Sequence, residues 1–213
     1  MKMRSIVFSI FISVYILTIA FIPANNAIQL DGVISDNEWK DAKEYNLSGG
    51  GKLLMKKENK DLYVAMAGNK KAWAHVYLHQ TDTIHVIHAS AALGVAKYIK
   101  QNNWWRNIQS FQWELREEIY NEELIKKQQA HYLKYGWVAN NNNMGNGMTF
   151  EFRLNLSRID DIPVSFACVL AEVPLDLHYF PRSLTDNTVL PQLVQGDTPD
   201  SLKFVPATWE KIK

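Results

Sequence analysis

The stretch that decides the fold is Met148-Thr-Phe-Glu-Phe-Arg-Leu-Asn-Leu156, in which an apolar residue occupies every second position. Successive side chains of a strand point to opposite faces of its sheet, so this alternation predicts a strand with one face in the core. We interpret the intervening polar residues, Glu151 among them, as the face towards water. The stretch therefore favours a sheet protein.

Further strand patterns lie on both sides of this stretch. Asp61–Gly68 alternates in the same way and ends at a glycine. Ala74–His79 and Thr83–Ser90 are rich in β-branched and aromatic residues, and the short polar link between them predicts a hairpin. Val164–Val173 is apolar throughout and predicts a fully buried strand. Together these patterns predict an all-β dominated fold, an antiparallel β-sandwich.

One long inserted α-helix is predicted within residues 104–136. Ser110 can cap a helix from Phe111 to Tyr135, and Gly136 stands at the usual C-terminal position. Glutamates come first in this segment and lysines later, which complements the helix dipole. A 3.6-residue period gives the expected core-facing stripe: Phe111, Leu115, Ile119, Ile125, Tyr132 and Leu133.

The first 27 residues have the three parts of a secretory signal. Lys2 and Arg4 form a positive start, Ile6–Ile22 carries no charge, and Ala27 ends a small-residue exit. An uncleaved anchor is the alternative, because the apolar run is just long enough to span a bilayer. Either interpretation predicts an exported protein, periplasmic or extracellular, with one domain over residues 28–213.

Charge and cysteine content exclude several classes of function. The chain has 23 basic and 22 acidic side chains. This balance argues against a nucleic-acid partner and against membrane binding by charge, leaving only the possible N-terminal anchor. Cys168 is the single cysteine, so the domain has no internal disulfide. It lies in an apolar strand, where a thiol acts as a small hydrophobic group.

Three islands of the sequence resemble a known family. Ile28-Gln-Leu-Asp-Gly32, followed by Glu38-Trp39, is similar to the opening of family 9 carbohydrate-binding modules and their DOMON-like relatives. Asp61–Met66 and Gly147–Leu156 resemble two of the family's core strands. The resemblance implies a β-sandwich and carbohydrate binding. It implies no binding residue, because His75–His79 stands where the family carries an acidic strand.

Aromatic side chains are the candidate ligand-binding residues. Sugar rings pack flat on tryptophan and tyrosine, so carbohydrate sites favour exposed aromatic side chains beside polar groups. Trp104, Trp105 and Arg106 lie in a polar stretch, and Trp137 precedes an asparagine-rich loop. Trp73 follows two lysines. We expect at least two of the tryptophans to line a groove that binds a glycan; the alternative is that they cover the junction of helix and sheet.

Histidines suggest a second function, haem or metal binding. His79, Asp82, His85 and His88 are close in sequence, although their spacing matches no known metal motif. Some DOMON relatives hold haem between methionine and histidine, and Met66 is the candidate methionine. This alternative would require haem or a divalent metal as cofactor, whereas the glycan hypothesis requires none.

Catalysis is the third hypothesis, as a glycan-active enzyme without a recognisable motif. Glycoside hydrolysis needs two carboxyl groups about 5–10 Å apart. The glutamates crowd the predicted helix start, where the dipole explains them, and no nucleophile-elbow, Walker or zincin motif is present. We therefore expect a non-catalytic protein.

Overall fold

The computed structural model describes residues 28–115, 121–142, 148–158, 164–184, 193 and 195–212. The predicted signal at residues 1–27 lies outside them. Within the described part of the chain, no helix is long and apolar enough to cross a membrane.

Two antiparallel sheets form a sandwich, which confirms the predicted fold class. The smaller sheet has the strand order β1-β2-β3-β9-β8. Its strands are β1 Lys43–Asn46, β2 Lys52–Glu58, β3 Asp61–Ala67, β8 Trp137–Asn142 and β9 Thr149–Asn155. The stretch that decided the fold thus contains β9, an interior strand of this sheet between β3 and β8.

The larger sheet has the order β11-β10-β4-β5-β6-β7-β12, with β13 paired to β10. Its strands are β4 Ala72–Gln80, β5 Thr83–Ala89, β6 Leu93–Gln101, β7 Trp104–Glu114, β10 Val164–Glu172, β11 Asp176–Phe180, β12 Ser201–Leu202 and β13 Glu210–Ile212. The predicted hairpin is confirmed as β4–β5, and the apolar strand as β10, which is buried along its whole length.

Apolar side chains pack in three layers. The main core lies between the sheets and includes Phe150, Phe152 and Cys168. A second cluster covers the outer face of the larger sheet, where the C-terminal segment contributes Phe204 and Trp209. A third cluster covers the outer face of the smaller sheet under the N-terminal segment.

The outer face of β9 does not meet water as predicted. Glu151 is 0% exposed and accepts hydrogen bonds from the backbone N–H groups of Asp31 (3.1 Å) and Gly32 (2.8 Å) and from Nε1 of Trp39 (3.1 Å). Trp39 ends the short helix α1, Asp36–Trp39. The N-terminal segment thus folds over this face, and Glu151 is its anchor.

The predicted helix is shorter than its sequence pattern suggested. Residues 104–114 form strand β7, and the helix α2 runs only from Glu122 to Tyr135. Its N-cap is Asn121, whose Oδ1 accepts from the Leu124 N–H at 2.9 Å, rather than Ser110. The end at Gly136, with φ of 76°, is confirmed. The predicted helical insertion over residues 104–136 was therefore wrong for residues 104–114, which form a strand. Aromatic residues at alternate positions of β7 resemble part of the apolar face of a helix.

The buried side of α2 agrees with the predicted stripe only in part. Tyr132 is buried as predicted, whereas Ile125 and Leu133 are exposed and Leu124, outside the stripe, is buried. Ile119 lies outside the described residues. The predicted orientation of the helix was partly wrong because the stripe starts at Phe111, which lies in strand β7. The Tyr132 hydroxyl donates to Asp61 of β3, which also accepts from Arg153 Nε (2.9 Å) and an Arg153 terminal nitrogen (2.7 Å). This network fastens α2 to the smaller sheet.

A matched pair of leucines in α2 tests this packing. Leu124 is 4% exposed and Leu133 is 60% exposed. We expect Leu124→Ala to lower the free energy of unfolding by about 2–4 kcal/mol, because it leaves a cavity. Leu133→Ala should change it by less than about 0.5 kcal/mol. Urea unfolding measures both; equal losses would contradict the orientation of the helix.

Candidate functional site

The candidate site is a pocket between α2 and the inner face of the larger sheet. The smaller sheet ends at β8, which contacts β5, so the inner faces of β6 and β7 continue beyond it. The helix α2 packs against β8 and closes the pocket from that side. The pocket has a volume of about 220 Å³. Its lining residues are His85, Ile87, Val95, Lys97, Gln109, Gln112, Glu114, His131, Tyr135 and Trp137.

Strand β7 supplies a row of polar side chains on this inner face. Paired residues of neighbouring strands share a face, and the ladder pairs Lys97 with Gln109, Val95 with Gln112 and Ile99 with Arg106. The β6–β7 register shifts on both sides of Lys97. Such bulges re-aim side chains and are common beside binding sites. Gln112 and Arg106 are exposed on this face.

Rings from α2 and β8 form the opposite wall. The ring centroid of His131 lies 4.7 Å from that of Tyr135 and 4.8 Å from that of Trp137, the latter nearly perpendicular. Tyr135 is half-buried, whereas Trp137 is 7% exposed. Tyr135 is therefore the main exposed aromatic surface of the wall, and Trp137 supports it from below the surface.

Glu114 joins the two walls. Its Oε1 accepts from the Tyr135 hydroxyl at 2.6 Å, and its Oε2 lies 3.1 Å from His131 Nδ1. The Tyr135 hydrogen bond, followed by that of His131, lowers the pKa of Glu114 despite partial burial. The carboxylate is therefore charged at neutral pH, with both oxygens engaged.

The two histidines of the pocket are neutral at pH 7. Burial lowers the pKa of His131, although Glu114 partly opposes this. Because Glu114 can only accept, Nδ1 of His131 carries the proton, and Nε2 is a buried acceptor without a partner among the described residues. Burial, assisted by the Lys97 charge, lowers the pKa of His85 to about 4. The two histidines thus add uncharged ring nitrogens to a pocket that also carries the charges of Glu114 and Lys97.

The structure brings three of the five predicted ligand-binding residues to this face. Trp137 lines the pocket, while Trp104 (45% exposed) and Arg106 lie further along β7 on the same face. Trp105 does not join them. It faces the other side, is 4% exposed, and donates from Nε1 to the Phe204 carbonyl at 3.0 Å. Trp73 packs on that outer face too.

The expectation that these tryptophans are exposed platforms was therefore wrong for Trp105 and Trp137. Adjacent residues of a strand face opposite ways, so the chain buries Trp105 when it exposes Trp104. Trp137 begins β8 immediately after Gly136, and its ring packs against that of His131 beneath the surface.

The residues of the haem or metal hypothesis do not converge. His79 Nε2 lies 2.8 Å from the Thr81 carbonyl, and His88 Nδ1 lies 2.6 Å from His75 Nε2 on the outer face. His85 lies on the inner face of the larger sheet. Met66, on β3 of the smaller sheet, is fully buried in the main core. Asp82 is exposed in the β4–β5 turn. Among the described residues no group of three His, Cys, Asp or Glu side chains could hold a metal ion, so these residues do not fit either cofactor.

Sequence reasoning missed most of the pocket. Lys97, Gln109, Gln112, Glu114, His131 and Tyr135 were not candidates. The sequence did contain a pattern that could have revealed it. Polar Arg106 and Gln112 alternate with aromatic Trp105 and Trp113, which indicates a strand with one face exposed to solvent. The helical interpretation of residues 111–135 concealed it.

The comparisons with known proteins yield two distant structures. No family model matches this sequence, and no curated protein matches it. Two solved structures of a family 9 carbohydrate-binding module from Caldicellulosiruptor kristjanssonii are similar, one in complex with cellotriose and one with glucose. They are 11% and 12% identical, cover 72% of this chain and 79% and 80% of theirs, and both give a TM-score of 0.39.

Proposed function

We propose that this chain is a non-catalytic carbohydrate-binding domain that acts outside the cytoplasm. The observation that carries the proposal is the pairing of an aromatic wall, Tyr135 with His131, with a polar row on β7, Gln109 and Gln112, across one pocket. A sugar ring presents C–H groups on its faces and hydroxyl groups at its rim. The wall suits the faces, and the polar row suits the hydroxyls.

The charges in the pocket favour binding over catalysis. Glu114 is the one carboxylate among the described lining residues, and its two oxygens already accept hydrogen bonds. Its lowered pKa is the opposite of what a general acid needs. Hydrolysis of a glycosidic bond needs a second carboxyl group about 5–10 Å away. We therefore assign the pocket a recognition role.

Two pocket variants test the proposal by calorimetric titration with a sugar selected from a glycan array. Gln112→Ala should weaken binding about 2- to 12-fold, since one hydrogen bond contributes about 0.5–1.5 kcal/mol. Tyr135→Ala should weaken it more, by about 1–3 kcal/mol, because it removes the ring and releases Glu114.

Gln195→Ala is the matched control for Gln112→Ala. Gln195 is exposed and lies beside Gly196, where a Cβ atom would come within 2.9 Å of the Trp113 ring on the other side of the sheet. We expect the Gln195→Ala variant to bind the selected sugar with the affinity of the wild type. An array with no binding glycan, or a control that weakens binding as much as Gln112→Ala, would refute the proposal. Release of a shorter sugar during incubation would indicate an enzyme instead.

A further inference from the structure

Two cationic side chains lie on the inner face of the larger sheet. Lys97 lines the pocket, and Arg106 is exposed on the neighbouring strand, opposite Ile99, which lies two residues beyond Lys97 on β6. No ion pair within the described part of the chain involves either side chain. We call this surface, from the pocket through Lys97 and Arg106 to Trp104, the β7 groove.

A third cation lies at the far end of the β7 groove. Lys203, directly after β12, places its Nζ 4.6 Å from the ring centroid of Trp104. Trp104 is 45% exposed even so. The groove therefore runs from the aromatic pocket, which Lys97 lines, to a second cationic end that carries an exposed tryptophan.

Glu114 is the one acidic side chain among the described residues of the groove, against three cations. Glu114 directs one oxygen to the Tyr135 hydroxyl and the other to His131, at the end of β7 remote from Arg106. It holds the wall together instead of pairing with Lys97. Among the described residues of the groove, the cations Lys97, Arg106 and Lys203 outnumber the one carboxylate, so the net charge of this part of the surface is positive.

We propose that the ligand is an anionic saccharide whose carboxylate or sulfate groups lie against Lys97 and Arg106. This proposal rests on the proposed function and adds the chemical class of the glycan. Arginine is suited to the role, because its planar guanidinium can donate two parallel hydrogen bonds to a carboxylate or sulfate. Lys97 is half-buried, so its attraction is screened less than that of a fully exposed lysine.

The test compares three oligosaccharides of equal length: hexagalacturonate, a carrageenan hexasaccharide and cellohexaose. The wild-type protein should bind one or both anionic chains at least 10-fold more tightly than cellohexaose. Which of the two is preferred identifies the anion as carboxylate or sulfate. Raising sodium chloride from about 50 to about 500 mM should erode this preference, because salt screens exposed charges.

Charge-reversal variants test whether the anionic chain binds at Lys97 and Arg106. Lys97→Glu and Arg106→Glu should each weaken binding of the anionic chain at least 10-fold, and the double variant should abolish the preference. Lys100→Glu is the matched control. It lies on β6 three residues from Lys97, pairs with Trp105 and so faces the other side of the sheet. Its affinity should fall by less than about 3-fold through long-range charge alone.

The outcomes separate this inference from the proposed function. If cellohexaose binds as tightly as the anionic chains and Lys97→Glu leaves that affinity unchanged, the anionic class is wrong while carbohydrate binding stands. If none of the three chains, and no glycan of the array, binds, both proposals fail. An equal loss in Lys100→Glu and Lys97→Glu would show general charge attraction and would overturn the placement in the β7 groove.

Discussion

Glu151→Ala is expected to lower the free energy of unfolding by about 3–6 kcal/mol, because it leaves two buried donors and one part-buried donor without an acceptor, and a buried unpaired donor costs about 1–3 kcal/mol. Those donors are the N–H groups of Asp31 and Gly32 and the Trp39 indole. The Glu151 carboxyl group holds the N-terminal segment on the smaller sheet, so its loss also frees Trp39 from the outer cluster. Denaturant unfolding at about pH 5.5 measures the change.

The control for this variant is an exposed glutamate on the same sheet. Glu44 pairs with Lys52 at 3.2 Å, and both side chains are more than half exposed. Such pairs contribute at most about 1 kcal/mol, so Glu44→Ala should change little. A loss of under about 1 kcal/mol for Glu151→Ala would show that the segment is not anchored through this carboxylate.

The pH dependence of stability provides a second measure of the same residue. Burial raises the pKa of Glu151 to about 7 from 4.5, with Asp31 and Glu38 adding to the rise and the hydrogen bonds opposing it. A raised folded-state pKa means that the folded protein binds the proton more tightly than the unfolded chain does. The resulting stabilisation is complete below about pH 4.5 and is lost as the pH rises through about 7.

We therefore expect wild-type stability to fall between pH 5 and 8, by an amount on the order of 3 kcal/mol. Glu151→Gln removes the titration but keeps one acceptor oxygen. Its stability should be lower than that of the wild type at pH 5 and should lack the fall attributed to Glu151. Parallel pH profiles for the two proteins would contradict a raised pKa at this site.

Asp61→Ala is the second large effect, and we expect a loss of about 2–4 kcal/mol. Its carboxylate is 8% exposed and accepts from Arg153 and from the Tyr132 hydroxyl. Removing one member of a buried ion pair costs about 3–5 kcal/mol, and we reduce this because the Arg153 side chain is 36% exposed. The guanidinium would still stack on the Tyr132 ring, at 4.0 Å from its centroid.

Tyr132→Phe separates the hydroxyl from the ion pair. It deletes one hydrogen bond and keeps the ring, so a loss of about 0.5–1.5 kcal/mol is expected. If Asp61→Ala costs no more than Tyr132→Phe, the Arg153 ion pair contributes nothing to stability. If Tyr132→Phe costs nothing, the hydroxyl does not attach α2 to the smaller sheet. The Asp61→Ala variant should also bind sugar less tightly, because α2 carries His131 and Tyr135.

Several strands could be predicted from the sequence because each follows from a local pattern of apolar residues. Alternation at residues 148–156 and 61–68, and the apolar run at 164–173, each correspond to a strand in a sheet. The helix end at Gly136 was equally local, since a positive φ favours glycine. Residues 104–114 were misassigned because aromatic residues spaced for a strand also fit one helical turn in part.

What the sequence by itself determined is the class of the fold, through the two-residue period that sorts side chains between the faces of a sheet. Only the tertiary structure decided what covers each face. It buried Glu151 under the N-terminal segment, turned Trp105 to the outer layer, and brought Glu114 of β7 to His131 and Tyr135 of α2. The reason is physical: a period fixes the direction of a side chain relative to its own strand, whereas a pocket needs strands and helix distant in sequence to converge.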